Sequence, residues 1–587
     1  MRKQRRIALL ALAVTAISVA GATAAFAGDN DSGFKTSQPS MLSCPSCGSN
    51  VVPIITVGET MPAGYRFEAL PDGISLQARG DGRVDLFVNH ETSTVAFPYN
   101  AAAPTAANSQ NDFLNSQVSL LGLNQQSKGV LFGRYAIDSD ENYQRFCSNY
   151  LATKAEGFDR DIFFTNEEAQ DYVYRTGVAW DKPIPAGTPG AEQPGVVVAN
   201  DPKNGKHKTI YGMGRHNHEN DVAIPGFDDL VVLSGDDTFF TTPVTTTAAP
   251  QSLTYNTRAW SQVYSYIAPN SDAIWADEGE LWAFVSDNPA YKDYYDFLPG
   301  DTTEVSGEFV KVPKIIATGK KADGTELRST DYPGMLPPPQ GSGIPDGPQW
   351  VLDQWGNAVN NTYGKNVFRF VRIEDIAYDK RPGTSNTVYL ADSGRAQTGP
   401  PAAGKSTNGR IWKLVFSGET QAKLSILIDG DTAATAGSAA TPAEAQGSIH
   451  QPDNVETTVN SLLVQEDPST ANTFPAGSAD PRATNARVWQ YSFATGTKAV
   501  AATVDQAAAS SPSNLNPAKP GSIGSWESSG IVDASSIWGP GWFLLDVQAH
   551  TLWIETAPGP DVVAPVGPDW TFKREGGQLL AIRIPGA

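Results

Sequence analysis

Arg83-Val84-Asp85-Leu86-Phe87-Val88-Asn89 alternates apolar and polar residues and then stops at the polar cluster Asn89-His90-Glu91. A short apolar run, rich in β-branched and aromatic residues and closed by turn formers, reads as a strand. The pattern returns at Asp161-Ile162-Phe163-Phe164-Thr165, Asp229-Leu230-Val231-Val232-Leu233 and Leu281-Trp282-Ala283-Phe284-Val285. It returns again at Thr387-Val388-Tyr389-Leu390, Ser461-Leu462-Leu463-Val464, Trp542-Phe543-Leu544-Leu545 and Gln578-Leu579-Leu580-Ala581-Ile582. No stretch holds the i, i+3, i+4, i+7 spacing of an amphipathic helix across four turns. The expected class is all-β.

A phrase recurs among these strands. Gly409-Arg410-Ile411-Trp412-Lys413-Leu414 is matched by Ala486-Arg487-Val488-Trp489-Gln490-Tyr491, with Val263-Tyr264-Ser265-Tyr266-Ile267 a weaker relative. Repeated units of polar motif, strand, turn and strand suggest radial repetition, the β-propeller answer to unpaired sheet edges. A large sandwich or a pair of barrels shares much of this pattern. Long polar or Ala/Pro/Ser/Thr-rich stretches at 95–128, 180–208, 241–257, 319–364, 396–408, 430–447, 467–484 and 500–524 read as insertions on one scaffold.

With 587 residues, 40% of them hydrophobic, the chain can bury a large core, and 54 Gly with 42 Pro favour many turns. Against 43 basic residues stand 63 acidic ones, a formal charge of −20 that argues against general nucleic-acid binding. Arg2, Lys3, Arg5 and Arg6, the apolar run from Ile7 to Ala20 and Ala25-Phe26-Ala27 have the layout of a signal peptide cleaved after Ala27. Residues 28–50 then read as an N-terminal extension and 51–587 as the propeller. Arg5-Arg6 leaves the export route, general or twin-arginine, open. No other run suggests a membrane anchor, so a secreted or extracytoplasmic monomer is expected. Cys44-Pro45-Ser46-Cys47 reads as a short local disulfide, with redox chemistry or half a zinc site as alternatives, and Cys147 is left over.

Polar clusters abut the strands. Glu91, Glu167 and Asp236 follow one directly, whereas Glu374 and Asp453 precede one. Singly, each is ordinary turn or surface chemistry. In a propeller, however, the ends of the innermost strands converge on the central channel. Carboxylates gathered there need cations, and oxygen-rich sets select Ca²⁺ or a hard transition ion.

The order of these motifs resembles the PhoX-type alkaline phosphatase family along most of the mature chain. Leu86-Phe87-Val88-Asn89-His90-Glu91 is similar to its strand leading into N-H-E, and Phe163-Phe164-Thr165-Asn166-Glu167-Glu168 to its strand leading into Cys-Glu-Glu. Gly214-Arg215-His216-Asn217-His218-Glu219 resembles G-R-x-x-H-E, and Val231-Val232-Leu233-Ser234-Gly235-Asp236-Asp237 a strand ending in G-D-D. Arg372-Ile373-Glu374-Asp375-Ile376 resembles R-x-E-D-I, and Gln451-Pro452-Asp453-Asn454 resembles P-D-N. Trp526-Glu527-Ser528-Ser529-Gly530, followed by Leu544-Leu545-Asp546-Val547-Gln548, resembles the closing E-x-[ST]-G and strand-Q.

The resemblance implies a six-bladed propeller whose channel holds several Ca²⁺ ions and an iron pair and hydrolyses phosphate esters. It implies Glu91, Glu167, Glu168, Glu219, Asp236, Glu374 and Glu527 as metal ligands and Arg372 as the phosphate-binding cation. One position departs: Asn166 stands where the family has its cysteine, which puts iron and turnover in question and leaves Cys147 as a substitute thiol. The alternatives are a non-catalytic, calcium-stabilised propeller that binds an extracellular partner, and another propeller hydrolase such as a phytase or lactonase.

Overall fold

The computed structural model describes residues 32–68, 70–93, 115–175, 184–238, 244–246, 253–255, 259–332, 335–338, 344–356, 367–395, 407–432, 446–467, 484–506, 526–555 and 572–587. The segment read as a signal peptide lies outside them.

Six antiparallel units follow one another along the chain. Blade 1 is Pro71–Ala78, Arg83–Ser93, Asn115–Asn124 and Val130–Ile137; blade 2 is Phe146–Ala152, Ile162–Glu167, Val197–Asn200 and His207–Ile210. Blade 3 is His218–Ile224, Leu230–Asp236, Val263–Ala268 and Glu280–Ser286; blade 4 is Ile373–Tyr378, Thr387–Asp392, Arg410–Phe416 and Gln421–Asp429. Val305–Lys311 pairs with the outer strands of both, so these two blades form one nine-stranded sheet. Blade 5 is Pro452–Thr457, Ser461–Glu466, Arg487–Ser492 and Lys498–Val504, with Leu42–Ser43 added at its edge. Blade 6 is Glu527–Asp533, Trp542–Glu555 and Phe572–Arg583, and its fourth strand is Val51–Thr56 from the other end of the chain.

The first strand of each blade packs on the first strand of the next, and the last of them packs on Pro71–Ala78, which closes the ring. The architecture is an all-β propeller. A cavity of about 190 Å³ lies along its axis, lined by residues of all six inner strands: Ile74, Tyr150, Val222, Ala377, Val455 and Val532 among them.

This arrangement explains the uninterrupted apolar runs. A second strand has neighbouring blades on both faces, so neither face is polar. Leu86 and Val88 pack toward blade 6 while Phe87 stacks on Phe163 of blade 2, ring centroids 4.5 Å apart. Ile162 and Phe164 join the core shared by blades 2 and 3. Leu462 and Val464 pack against blade 4, and Leu463 belongs to the core shared with blade 6. The recurring Arg-x-Trp phrase occupies the third strand of blades 4 and 5, and its relative at Val263 the third strand of blade 3.

Two expectations need revision. The stretches 95–128 and 180–208 are not all loop, since Asn115–Asn124 and Val197–Asn200 are third strands. In the first, Ser and Gln alternate with the core residues Val118, Leu120, Leu121 and Leu123 and mask the strand. Residues 32–50 are not a detached extension: Phe34 bridges Val130 and Met41 N donates to Gln578 Oε1 at 2.9 Å. Cys44 and Cys47 form a disulfide, as the local reading expects. Among the described residues, no helix is long and apolar enough to cross a membrane.

Candidate metal centre

The same backbone device opens every inner strand. Pro71 pairs with His90 but Ile74 pairs with Val88, which sets Asp72 and Gly73 opposite the single Asn89, a one-residue bulge. The shift repeats between Phe146 and Asn149, His218 and Asp221, Ile373 and Ile376, Pro452 and Val455, and Ser529 and Val532. The first bulged residue is Asp72, Cys147, Glu219, Glu374 or Asp453 in blades 1 to 5, and Gly530 in blade 6.

A second contribution comes from a residue near the end of the second strand in blade 1 and just past it in blades 2 to 5. Its N–H donates to the carbonyl of the residue before the inner strand: Glu91 to Leu70, Glu168 to Arg145, Asp237 to Asn217 and Ser393 to Arg372 at 3.0 Å each, and Asp467 to Gln451 at 3.1 Å. Tied back in this way, the segment presents its side chain beside the bulged residue.

Ligand atoms then converge. Asp72, Glu91 and Cys147 lie within 4.8 Å of one another, as do Cys147, Glu168 and Glu219, then Glu219, Glu374 and Asp453, then Asp453, Asp467 and Glu527. Each group shares a member with the next, so eight carboxylates and a thiol make one continuous chain of donors. Cys147 Sγ is 2.8 Å from Asp72 Oδ2 and 2.7 Å from Glu219 Oε1, two acceptors for a thiol with a single proton. Ser148 Oγ donates to Glu219 Oε1 at 3.2 Å, and the hydroxyls of Ser393 and Ser529 donate to Glu374 and Asp72.

Burial makes this crowding costly. It pushes Glu91 up to about 8, with the Asp72 charge adding to it. Burial first, and then neighbouring carboxylates, also hold Glu168, Glu219, Asp453 and Glu527 well above the usual range. Burial likewise raises the Cys147 thiol, followed by the charges of Asp72 and Glu219. Without cations, these groups cannot all be ionised at neutral pH.

Arg372 stands against the donors with 7% of its surface exposed. Its Nε donates to Asp237 Oδ1 at 2.6 Å, a terminal nitrogen donates to Asp237 Oδ2, and the same nitrogen is 3.2 Å from Glu374 Oε1.

Of the residues expected as ligands, the structure gathers Glu91, Glu168, Glu219, Glu374 and Glu527 and leaves out Glu167 and Asp236. Glu167 accepts the Arg175 fork at 2.6 and 2.8 Å and Gln144 N at 2.8 Å. Asp236 accepts Thr238 Oγ1 at 2.6 Å and Gln262 N at 3.3 Å. Successive side chains of a strand point to opposite faces, so a one-residue difference exchanges the inside of the blade for the channel. The Asn166 amide is not at the donors either. It donates to Glu219 O and to Asn220 Oδ1, and the thiol of the centre comes from Cys147, on the neighbouring strand.

No protein-family model and no curated protein matches the sequence. Among solved structures the chain is similar to an acylaminoacyl peptidase of Pyrococcus horikoshii, at 8% identity over 84% of this chain and 50% of that one, TM-score 0.27. It is also similar to the NanB sialidase of Streptococcus pneumoniae, at 7% identity over 91% of this chain and 71% of that one, TM-score 0.34. The chain thus spans half the length of the peptidase. Likenesses at these scores carry no argument about chemistry.

Sequence reasoning missed Asp72 and Asp467 as donors, left Asp453 out of the ligand set although it noted the cluster, and offered Cys147 only as a substitute thiol. Pro71-Asp72-Gly73 and Pro452-Asp453-Asn454 look like turns, and Cys147 looks like a spare core thiol. The signal lay in an alignment of strand openings: Pro-Asp-Gly, Phe-Cys-Ser, His-Glu-Asn, Ile-Glu-Asp and Pro-Asp-Asn are equivalent triplets from five blades.

Proposed function

We propose that the protein is an exported, metal-dependent phosphohydrolase of PhoX type, working at the donor chain in its channel. The observation that carries this reading is the convergence of eight carboxylates and one thiol, drawn from all six blades, on shared positions. The donor chemistry fits the implied metals. Glu219, Glu374 and Asp453, and then Asp453, Asp467 and Glu527, are all-oxygen groups of the kind calcium takes. Cys147, placed between Asp72 with Glu91 and Glu168 with Glu219, adds the softer donor that a transition ion such as iron accepts.

Bound there, the cations would neutralise and polarise the phosphate of an ester, the Lewis-acid role of metals in such reactions. The chain's own contribution is orientation and charge. Asp237 holds the Arg372 guanidinium in a fixed fork, and a guanidinium suits phosphate oxygens in pairs. Ser393 and Ser529 fix the rotamers of Glu374 and Asp72 by donating to them, the outer-shell support that metal ligands need. Export is supported by the sequence of residues 1–27 and by the Cys44–Cys47 disulfide, which belongs to an oxidising compartment.

The deciding experiment is elemental analysis of the purified protein together with hydrolysis of p-nitrophenyl phosphate before and after chelation. Activity abolished by EDTA and restored by Ca²⁺ is the expected result. Bound calcium without turnover of any phosphate ester would instead establish the non-catalytic reading.

A further inference from the structure

Leu70, Arg145, Asn217, Arg372 and Gln451 occupy one structural position. Each lies two residues before the bulged donor of its blade, and each carbonyl receives an N–H from the end of the second strand or the residue past it. Two of the five are arginines, from blades 2 and 4. Arg145, like Arg372, has 7% of its surface exposed. Both of its terminal nitrogens donate to a single oxygen, Asp171 Oδ2, at 3.1 and 2.9 Å. Asp171 is not a member of the donor chain, so this pairing does not use Arg145 to neutralise a ligand.

The two arginines act on different parts of the centre. The Arg372 charge bears on Glu168, Glu374 and Asp453, and the Arg145 charge on Glu91. They therefore bear on different members of the donor chain. Arg145 is held at φ +44° and Gln451, at the same position of blade 5, at φ +50°, so the left-handed backbone belongs to this entry into the inner strand and not to the arginine itself.

We propose that Arg145 is a second substrate-binding cation, which from blade 2 joins Arg372 of blade 4 in gripping the non-bridging oxygens of a phosphate monoester. This rests on the phosphohydrolase reading above. The physical need is plain: a centre so rich in carboxylates repels an anionic ester, and two guanidinium forks counter that repulsion with direction as well as charge. A monoester offers three terminal oxygens and a diester two, so the second fork favours the monoester.

The test uses calcium-loaded full-length protein and compares wild type, Arg145→Gln, Arg145→Lys and Asp171→Asn. The measurements are KM and kcat on p-nitrophenyl phosphate and bis(p-nitrophenyl) phosphate, inhibition by inorganic phosphate, calcium content and thermal midpoint. Arg145→Gln is expected to raise the monoester KM and the inhibition constant of inorganic phosphate about 10- to 100-fold, the loss of a charge-assisted hydrogen-bond pair. Calcium content stays as in wild type, and the diester KM rises less. Arg145→Lys, which keeps the charge without the fork, recovers part of the loss. A Gln variant that binds inorganic phosphate as wild type does, with a thermal midpoint lowered to that of Asp171→Asn, would reduce Arg145 to an ion-pair partner and overturn the proposal. Should Arg145→Gln fail to fold, Arg145→Lys decides, and an unchanged inhibition constant there overturns it equally. Wild-type protein that carries calcium yet neither hydrolyses an ester nor binds inorganic phosphate would bring down the phosphohydrolase reading itself.

Discussion

Glu167 and Glu168 are adjacent in the chain and live in opposite surroundings. Glu167 turns into its blade, where Arg175 and Gln144 N satisfy it; Glu168 turns to the channel, where burial and the charges of Asp237, Glu91 and Glu374 oppose its ionisation. The doublet Glu466-Asp467 repeats the contrast. Glu466 accepts Arg487 at 2.7 and 2.8 Å, the Trp489 indole at 2.9 Å and His450 N at 2.9 Å, while Asp467 joins the donor chain. Glu167 and Glu466 tie the ends of their second strands to the segments leading into the inner strands, through Gln144 N and His450 N. The channel acids destabilise the metal-free fold and become assets only when cations arrive. One strand end thus delivers a structural acid and a candidate ligand side by side, because a strand reverses its face at every residue.

The contrast is open to attack at several strengths. Chelation strikes only the channel side, and it should lower the thermal midpoint by about 10 °C or more, since cations held as proposed would bind the native state alone. Calorimetry with and without EDTA checks this, and an unmoved midpoint would break the comparison outright. Glu466→Gln strikes only the blade side. It leaves the Arg487 guanidinium short of its buried partner and should cost about 3–5 kcal/mol in denaturant unfolding, with calcium content unchanged.

Gly530→Ala tests the one blade that breaks the pattern. Gly530 has φ +50° and an added Cβ would stand 2.3 Å from Asp72 O, so a loss of about 1–3 kcal/mol is expected, with blade 6 displaced from Asp72. Asp453→Asn should reverse sign with metal. The metal-free variant should be more stable than metal-free wild type by about 1 kcal/mol, because a carboxylate opposed by burial and by Glu374 is gone, whereas the loaded variant should hold less calcium.

The smallest effect lies far from the channel. His207 is held above its ordinary 6.5 by its hydrogen bond to Glu141 at 2.7 Å, against partial burial. A raised histidine contributes stability that is fully present below pH 6.5 and is lost as pH climbs through the raised value. The expected change is a few tenths of a kcal/mol for so exposed a pair, and Glu141→Gln should flatten it in pH-dependent unfolding.

Most of the architecture was legible in the chain. Strands such as Leu230-Val231-Val232-Leu233 announce themselves because both of their faces are apolar, and the Arg-x-Trp phrase marks the third strand of blades 4 and 5. Trp412 and Trp489 donate to Asp392 and Glu466, which is why that phrase recurs beside strand-end acids. The donors were legible in part. Glu91, Glu219 and Glu374 lie in conspicuous polar clusters. Which member of Glu167-Glu168 or Asp236-Asp237 faces the axis depends on a register that only the bulge fixes. Asp72 was hidden, and Asp453 was noted without being taken as a ligand, because Pro-Asp followed by Gly or Asn is also the commonest language of turns. Cys147 was open as a substitute thiol, but nothing in Phe146-Cys147-Ser148 signals that a bulge re-aims its sulfur.

Blade 6 takes its fourth strand, Val51–Thr56, from the opposite end of the sequence. A chain made or threaded from its N-terminus holds that strand single until residues 572–583 exist to receive it. Five blades can stack beforehand, yet the circle stays a horseshoe, with Glu527 not yet facing Asp453 and Asp467. Cations bound as proposed would thus meet a finished cage at the end of folding and act as its lock rather than its seed.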